Sequence, residues 1–305
     1  MTAQPVLDFH VRLAPRPGAA ARLLAALDGC GVARAVVCAG GTIDLDTLAR
    51  QLVDGGHVET DPDNDAVLAA CTDANGGTPA SEGVAGGGGG TPASEGVAGG
   101  GGGTPASEGV AGGGGGTPAG GGVAGGGGRL VPFWFANPHR PPGAYRERAA
   151  EFRGLEVSPA VHGVALTDPR VSALVQVAAD SGHPVYTVCL ARPGAGVADL
   201  VTLARRFPQT DFVLGHSGIG NIDFHALALI RDRPNISLET SGGYTCVAEA
   251  AIDRLGAARV VFGSEYPLQH PAVELAKFTA IGTPPAQWRQ IAWENAHRLL
   301  GEEKP

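Results

Sequence analysis

Short runs of Val, Ile, Leu and Phe alternate along the chain with stretches in which apolar residues return every three or four positions. The first kind predicts half-buried or fully buried strands, the second amphipathic helices. Strands are expected at residues 6–13, 33–39, 130–135, 154–157, 184–189, 212–215, 236–239 and 260–262. Helices are expected at 19–28, 47–53, 65–74, 145–152, 171–180, 197–206, 224–231, 246–255 and 272–278, with a helical pair over 285–300. Asn64 or Asp65 is the expected N-cap of the third helix. Eight strand–helix alternations favour a (β/α)₈ barrel over a doubly wound open sheet. No GxGxxG or GxxxxGK[ST] follows a strand, which argues against a nucleotide-binding fold.

The pattern breaks once. Residues 77–128 are four copies of a 13-residue unit, GTPASEGVAGGGG three times and then GTPAGGGVAGGGG. The tract holds 26 of the 49 Gly in the 305-residue chain. It lacks the three-residue period of collagen, and it has too little apolar surface to offset the entropy of ordering it. It is expected to be a disordered insert. Lengthening a loop from a few residues to about 56 costs only about 2 kcal/mol, which a folded domain tolerates. The 253 residues outside it have an ordinary globular composition and the usual length of one such barrel. The expected organisation is therefore a single barrel domain over 1–305 interrupted at 77–128. The repeat joins a helix to the following strand, which puts it on the barrel face away from the βα loops.

Outside the repeat, 27 acidic residues stand against 22 basic ones without basic clusters. Nucleic acid and anionic membrane are thus not expected partners. No apolar run approaches the roughly 18 residues needed to span a bilayer. The opening MTAQPVLDFH lacks a basic stretch followed by a long apolar one, so no secretory signal is expected. Five scattered cysteines suit reduced thiols in a cytoplasm. The expected partner is a small-molecule substrate, and a homo-oligomer is compatible with everything above.

In a barrel of this kind the chemistry lies where strands end. The strand ends carry Asp8-Phe9-His10-Val11-Arg12, Asn137-Pro138-His139, Glu156 with nearby His162, Gly215-His216-Ser217-Gly218, Glu239-Thr240-Ser241-Gly242 and Gly263-Ser264-Glu265-Tyr266-Pro267. Alternation places Asp8, His10 and Arg12 on one face of their strand. On the interior face they would converge with His216 and Glu265. A carboxylate and a histidine meeting there suit general acid–base work. An arginine suits gripping a carboxylate or a developing oxyanion.

The runs DFHVR, GLEVSPAVHG, HPVYTV, VLGHSG, NISLETSG, VVFGSEYP and WENAHRLL, in this order, resemble those of the amidohydrolase-related family (the amidohydrolase-2 group). They cover nearly all of the chain outside the repeat. The resemblance implies a (β/α)₈ barrel that hydrolyses C–N or C–O bonds, or decarboxylates or hydrates small carboxylic acids. It also implies, in many members, one divalent metal, usually zinc. The metal positions depart from the family pattern. The second His of DxHxH is Arg12, the fifth-strand His is Val188, the GSDYP aspartate is Glu265, and a Lys common on the fourth strand is Glu156.

Two enzyme readings follow. His10, His216 and Glu265 could ligate a metal as three N/O donors. Alternatively the site is metal-free, as in some lactone hydrolases of the superfamily, with Arg12 in the metal's electrostatic place. The expected catalytic residues are Glu265, His216, His10 and Arg12. Arg12, Glu156, His162, Asn137 and Ser241 are the expected substrate contacts. Hydrolysis of a small amide, lactone or related carboxylic acid derivative is the leading expectation. Decarboxylation of a small carboxylic acid, or a degenerate barrel that only binds a ligand, are the alternatives.

Overall fold

The computed structural model describes residues 4–76 and 128–302. All of the expected repeat except Gly128 lies outside the described residues.

Nine strand segments run in parallel: β1 (Val6–Leu13), β2 (Val32–Ala39), β3 (Leu130–Pro132), β4 (Trp134–Phe135), β5 (Leu155–Val157), β6 (Val185–Thr187), β7 (Phe212–Leu214), β8 (Ile236–Glu239) and β9 (Val260–Val261). β3 and β4 are one barrel strand. Pro132 has no N–H to donate, and the ladder changes partner at Phe133, whose N–H donates to Val37 O at 2.9 Å while Trp134 donates to Gly154 O. The ring closes between β9 and β1, where Phe9 N–H donates to Phe262 O and Glu265 N–H to His10 O. Eight barrel strands with helices between them make a (β/α)₈ barrel. Among the described residues no helix is long and apolar enough to cross a membrane.

Apolar positions divide between two layers. Val11, Val37, Leu155, Val185, Phe212, Ile236 and Val260 pack against the surrounding helices. Leu7, Phe9, Val36, Phe133, Val213 and Val261 fill the lower barrel interior, which the C-terminal segment closes from below with Trp293, Ala296 and Leu299.

The periodicity places most elements within one or two residues. The helix Asn64–Ala74 corrects the expected cap: Asp63 accepts from Ala66 N–H at 2.9 Å. Asn64 is engaged elsewhere, exchanging two hydrogen bonds with the backbone of Phe135 like a strand partner. A short helix, Pro159–His162, was not expected from the pattern; its four residues are too few to show a period.

The repeat leaves the barrel after the helix Asn64–Ala74 and returns at β3. Asn75 pins the two flanks together: its Oδ1 accepts from Leu130 N–H at 3.1 Å and its Nδ2 donates to Leu130 O at 2.9 Å. This junction is at the N-terminal end of β3, opposite the strand ends described next.

Candidate active site

A cavity of about 620 Å³ opens at the C-terminal ends of the strands. Arg12, His216 and Glu265 face it, among apolar walls that include Val161, Val188, Leu190, Ile219 and Leu268.

β1 reaches this cavity through a bulge. Between Asp8 and Val11, three steps of β1 oppose two of β2. Phe9 and His10 in consequence both hydrogen-bond to the β9 side. The extra residue changes the strand's phase, so the expected single face of Asp8, His10 and Arg12 does not form. His10 and Arg12 turn toward the site. Asp8 is instead fully buried against the last strand, its Oδ1 accepting from Ser264 N–H at 2.9 Å and His10 N–H at 3.2 Å. Burial pushes the Asp8 carboxyl up to about 7.

Arg12 is the hub. Its Nη2 donates to Glu156 Oε1 at 2.6 Å, its Nη1 to Glu156 Oε2 at 3.3 Å and its Nε to Glu265 Oε1 at 3.4 Å. Glu156 is completely buried behind it and also meets His10 Nε2 at 3.4 Å. Burial alone would raise the Glu156 carboxyl. The Arg12 guanidinium and His10 outweigh it and hold the group well below the usual carboxylate range.

His216 and Glu265 meet at the cavity floor, Nδ1 against Oε2. Both residues have left-handed backbone, with φ of 54° and 58°. Non-glycine residues pay for that conformation, and such strain persists where the surrounding structure enforces it. At Glu265 the backbone N–H is held by His10 O at 2.8 Å, and at His216 the enforcing contact comes from Glu239, the last residue of β8. Its Oε2 accepts from His216 N–H at 3.1 Å, Tyr186 Oη–H at 2.9 Å and Ser241 Oγ at 2.9 Å. Ser241 Oγ also lies 3.2 Å from His216 Nδ1. A Cβ on Gly215 would stand 2.2 Å from the Tyr186 oxygen, and one on Gly263 2.4 Å from Glu239 Oε1. These two glycines are required by close approach.

Several expected roles therefore change. His10 is fully buried, stacked on Tyr186 with centroids 4.0 Å apart, and positions Glu156 rather than lining the cavity. Glu156 faces Arg12, and Ser241 holds His216. Asn137 is taken by the backbone of Glu59 and the carboxylate of Asp61, at 3.0 and 2.6 Å. His162 is buried with Nε2 on Thr60 O at 3.2 Å. None of the five lines the cavity; their polar atoms bond mainly to the protein itself, with His10 Nδ1 and His162 Nδ1 buried without a hydrogen-bond partner. Glu239 and Tyr186 were not among the expected site residues. Their signal was faint: a carboxylate closing the apolar run NISLE, and a phenol within PVYTV.

The metal implied by the resemblance can be tested against these residues. His10, His216 and Glu265 do bring ligand atoms within 4.8 Å of one another, as do His10, Cys38 and Glu156. Arg12 contacts a carboxylate of both sets. A guanidinium about 4 Å from a divalent ion repels it by roughly 8 kcal/mol at an effective dielectric of 20. Val188 puts an apolar wall where the fifth-strand histidine would stand. Burial keeps the Cys38 thiol far above its ordinary range, hence protonated. The donor set does not fit a resident divalent ion.

Comparison with known proteins agrees with this architecture. The family model described as amidohydrolase matches residues 123–301. Among solved structures, a putative 2-pyrone-4,6-dicarboxylic acid hydrolase from Pseudomonas putida superposes with a TM-score of 0.60 at 16% identity, over 99% of this chain and 100% of that one. A 5-carboxyvanillate decarboxylase from Novosphingobium aromaticivorans gives 0.62 at 13% identity, over 98% and 96%. An uncharacterized TIM-barrel protein from Bordetella bronchiseptica gives 0.61 at 14% identity, over 97% and 98%. A search of curated protein sequences finds no match.

Proposed function

The chain belongs to the amidohydrolase family, and from that premise we propose that it is a metal-independent hydrolase of a small carboxylate-bearing ester, lactone or amide. The observation that carries this reading is the Arg12–Glu265–His216 chain of contacts at the cavity.

With Nδ1–H given to the Glu265 carboxylate, neutral His216 carries its lone pair on Nε2. No buried Nε2 without a partner is found for His216 among the described residues, and the side chain is 16% exposed. The ring edge is thus open to a water in the cavity. His216 takes a proton from that water as its oxygen attacks the substrate carbonyl, and Glu265 stabilises the imidazolium that forms. The C–O or C–N bond then breaks and His216 returns the proton to the leaving group. Arg12 is held by Glu156, Ala39 O and Glu265, and its second Nη2–H is left for a substrate carboxylate or the oxyanion. The apolar walls suit a flat or aliphatic body between those polar groups.

Structures with this fold include decarboxylases as well as a hydrolase. An arginine grips a carboxylate in either chemistry, so product detection separates them. Turnover should release one acid equivalent per substrate in a pH-stat assay of small lactones and esters, or one free amine per substrate from small amides, and His216→Asn should abolish it. CO₂ release without hydrolysis would replace this reading by a lyase. Ligand-dependent melting shifts with no turnover of either kind would leave a binding barrel. Five unpaired cysteines favour a reducing compartment such as the cytoplasm, which a fluorescent fusion would test.

A further inference from the structure

A second cluster of metal-ligating side chains lies away from the Arg12 site. His57 and Glu59 come from the segment between the helix Leu45–Asp54 and the helix Asn64–Ala74, and His139 comes from the loop after β4. One ligand atom from each lies within 4.8 Å of the others. His57 and Glu59 are two residues apart, the spacing that puts side chains on one side of an extended chain. The two imidazoles stack with centroids 5.2 Å apart and planes 16° from parallel. None of the three lines the cavity.

The hydrogen bonding of His139 defines what the cluster lacks. Its Nε2 is 2.8 Å from His162 O. A carbonyl oxygen only accepts, so Nε2 carries the proton, and in the neutral ring Nδ1 is a lone pair. That lone pair faces Glu59 Oε1 at 4.0 Å, and His57 Nε2 faces the same oxygen at 3.8 Å. Both distances are too long for hydrogen bonds. A carboxylate opposite two imidazole nitrogens at these distances leaves room for a cation between them. Zinc–ligand distances of about 2.0–2.2 Å place two ligands of one ion roughly 3.3–3.5 Å apart at a tetrahedral angle. The two distances to the Glu59 carboxylate each need a contraction of only about half an ångström, at two exposed side chains, His57 and Glu59, and the half-buried His139. The bond from His139 Nε2 to a backbone carbonyl is also the outer contact that orients histidine ligands in metal sites.

We propose that His57, Glu59 and His139 form a binding site for one Zn²⁺ ion, with water completing the coordination. The ion clamps the 55–63 segment to the barrel. That segment already touches the cavity wall, because Val58 N–H donates to Val161 O at 3.0 Å and Val161 lines the cavity. The site is independent of the Arg12 chemistry. Zinc found in a preparation of this protein is therefore assigned here, and not to His10, His216 and Glu265.

The test is titration of dialysed, full-length protein with Zn²⁺ against a chromophoric chelator, and with Co²⁺ read by its visible absorption bands. One equivalent should bind to the wild type. His57→Ala and the near-isosteric Glu59→Gln should each weaken it by at least about tenfold and lose the cobalt bands. Both should keep wild-type turnover, since neither side chain reaches the cavity. Absence of stoichiometric binding in the wild type overturns the proposal. So does undiminished binding in both variants, and so does loss of binding in His216→Asn alone.

Discussion

Replacing Arg12 by Met removes a buried cation and leaves its partner in place. The Arg12–Glu156 contact of 2.6 Å joins a fully buried carboxylate to a guanidinium that is 15% exposed. Removing one member of such a pair costs about 3–5 kcal/mol, because the other charge stays buried without compensation. For a barrel of this size about 1 kcal/mol corresponds to about 2–4 °C in Tm, so a drop of roughly 6–20 °C is expected. The loss should depend on pH with a definite sign. In the wild type Glu156 is held below its ordinary value, so its contribution is present above the unfolded carboxyl range and fades only in strong acid. Without Arg12, burial becomes the leading influence and the carboxyl rises above its unfolded value. The variant's own contribution is then present at low pH and lost as pH rises. Its deficit relative to the wild type should therefore be larger at pH 8 than at pH 5. Arg12→Met/Glu156→Gln should recover most of the stability, since no buried charge is left unpaired, and none of the activity. Circular-dichroism melts at both pH values together with kcat/KM measure every arm. A single variant within about 1 kcal/mol of wild type, or a double variant no more stable than the single, would refute the reasoning.

Other outcomes follow from the same geometry. Glu265→Gln should fold and lose turnover along with His216→Asn, as read by steady-state kinetics on a substrate of the wild type. Arg12→His removes the guanidinium and adds an imidazole beside His10, His216 and Glu265; zinc should then bind at that place, detectable as a second equivalent in the chelator titration. Asp8, raised to about 7 by burial, holds its proton in the folded state while the unfolded chain releases it. Stability should fall as pH rises from about 4 to about 7, by at most about 1.4 kcal/mol per pH unit, and Asp8→Asn should flatten that slope in urea titrations across the range. Shortening residues 77–127 to a four-residue turn while keeping Asn75 and Gly128 should preserve activity and gain about 2 kcal/mol, because Asn75 already joins the flanks; a loss of turnover in a folded variant would contradict it.

Much of this protein is legible along the chain. Periodicity alone marks the eight barrel strands and most helices, because each must bury one face or both against a neighbour. The repeat stands out because its composition cannot do so. The ordered strand-end motifs indicate Arg12, His216 and Glu265, all of which face the cavity. What periodicity could not show is the bulge between Asp8 and Val11, since an extra residue leaves the pattern of apolar letters intact while reversing which side chains face inward. Nor could it show that His10, Glu156, Asn137, His162 and Ser241 lie off the cavity, each bonded to other parts of the protein. That outcome depends on partners up to 146 residues away in sequence, as in the His10–Glu156 contact. The same holds for Glu239, an ordinary strand residue until Tyr186, Ser241 and the His216 backbone converge on it. The sequence by itself determined which elements form and which strand ends carry polar groups, because local burial and chain order set both. Only the tertiary structure decided which polar groups pair with one another and which are left for chemistry, because hydrogen-bond partners are fixed by distance in space.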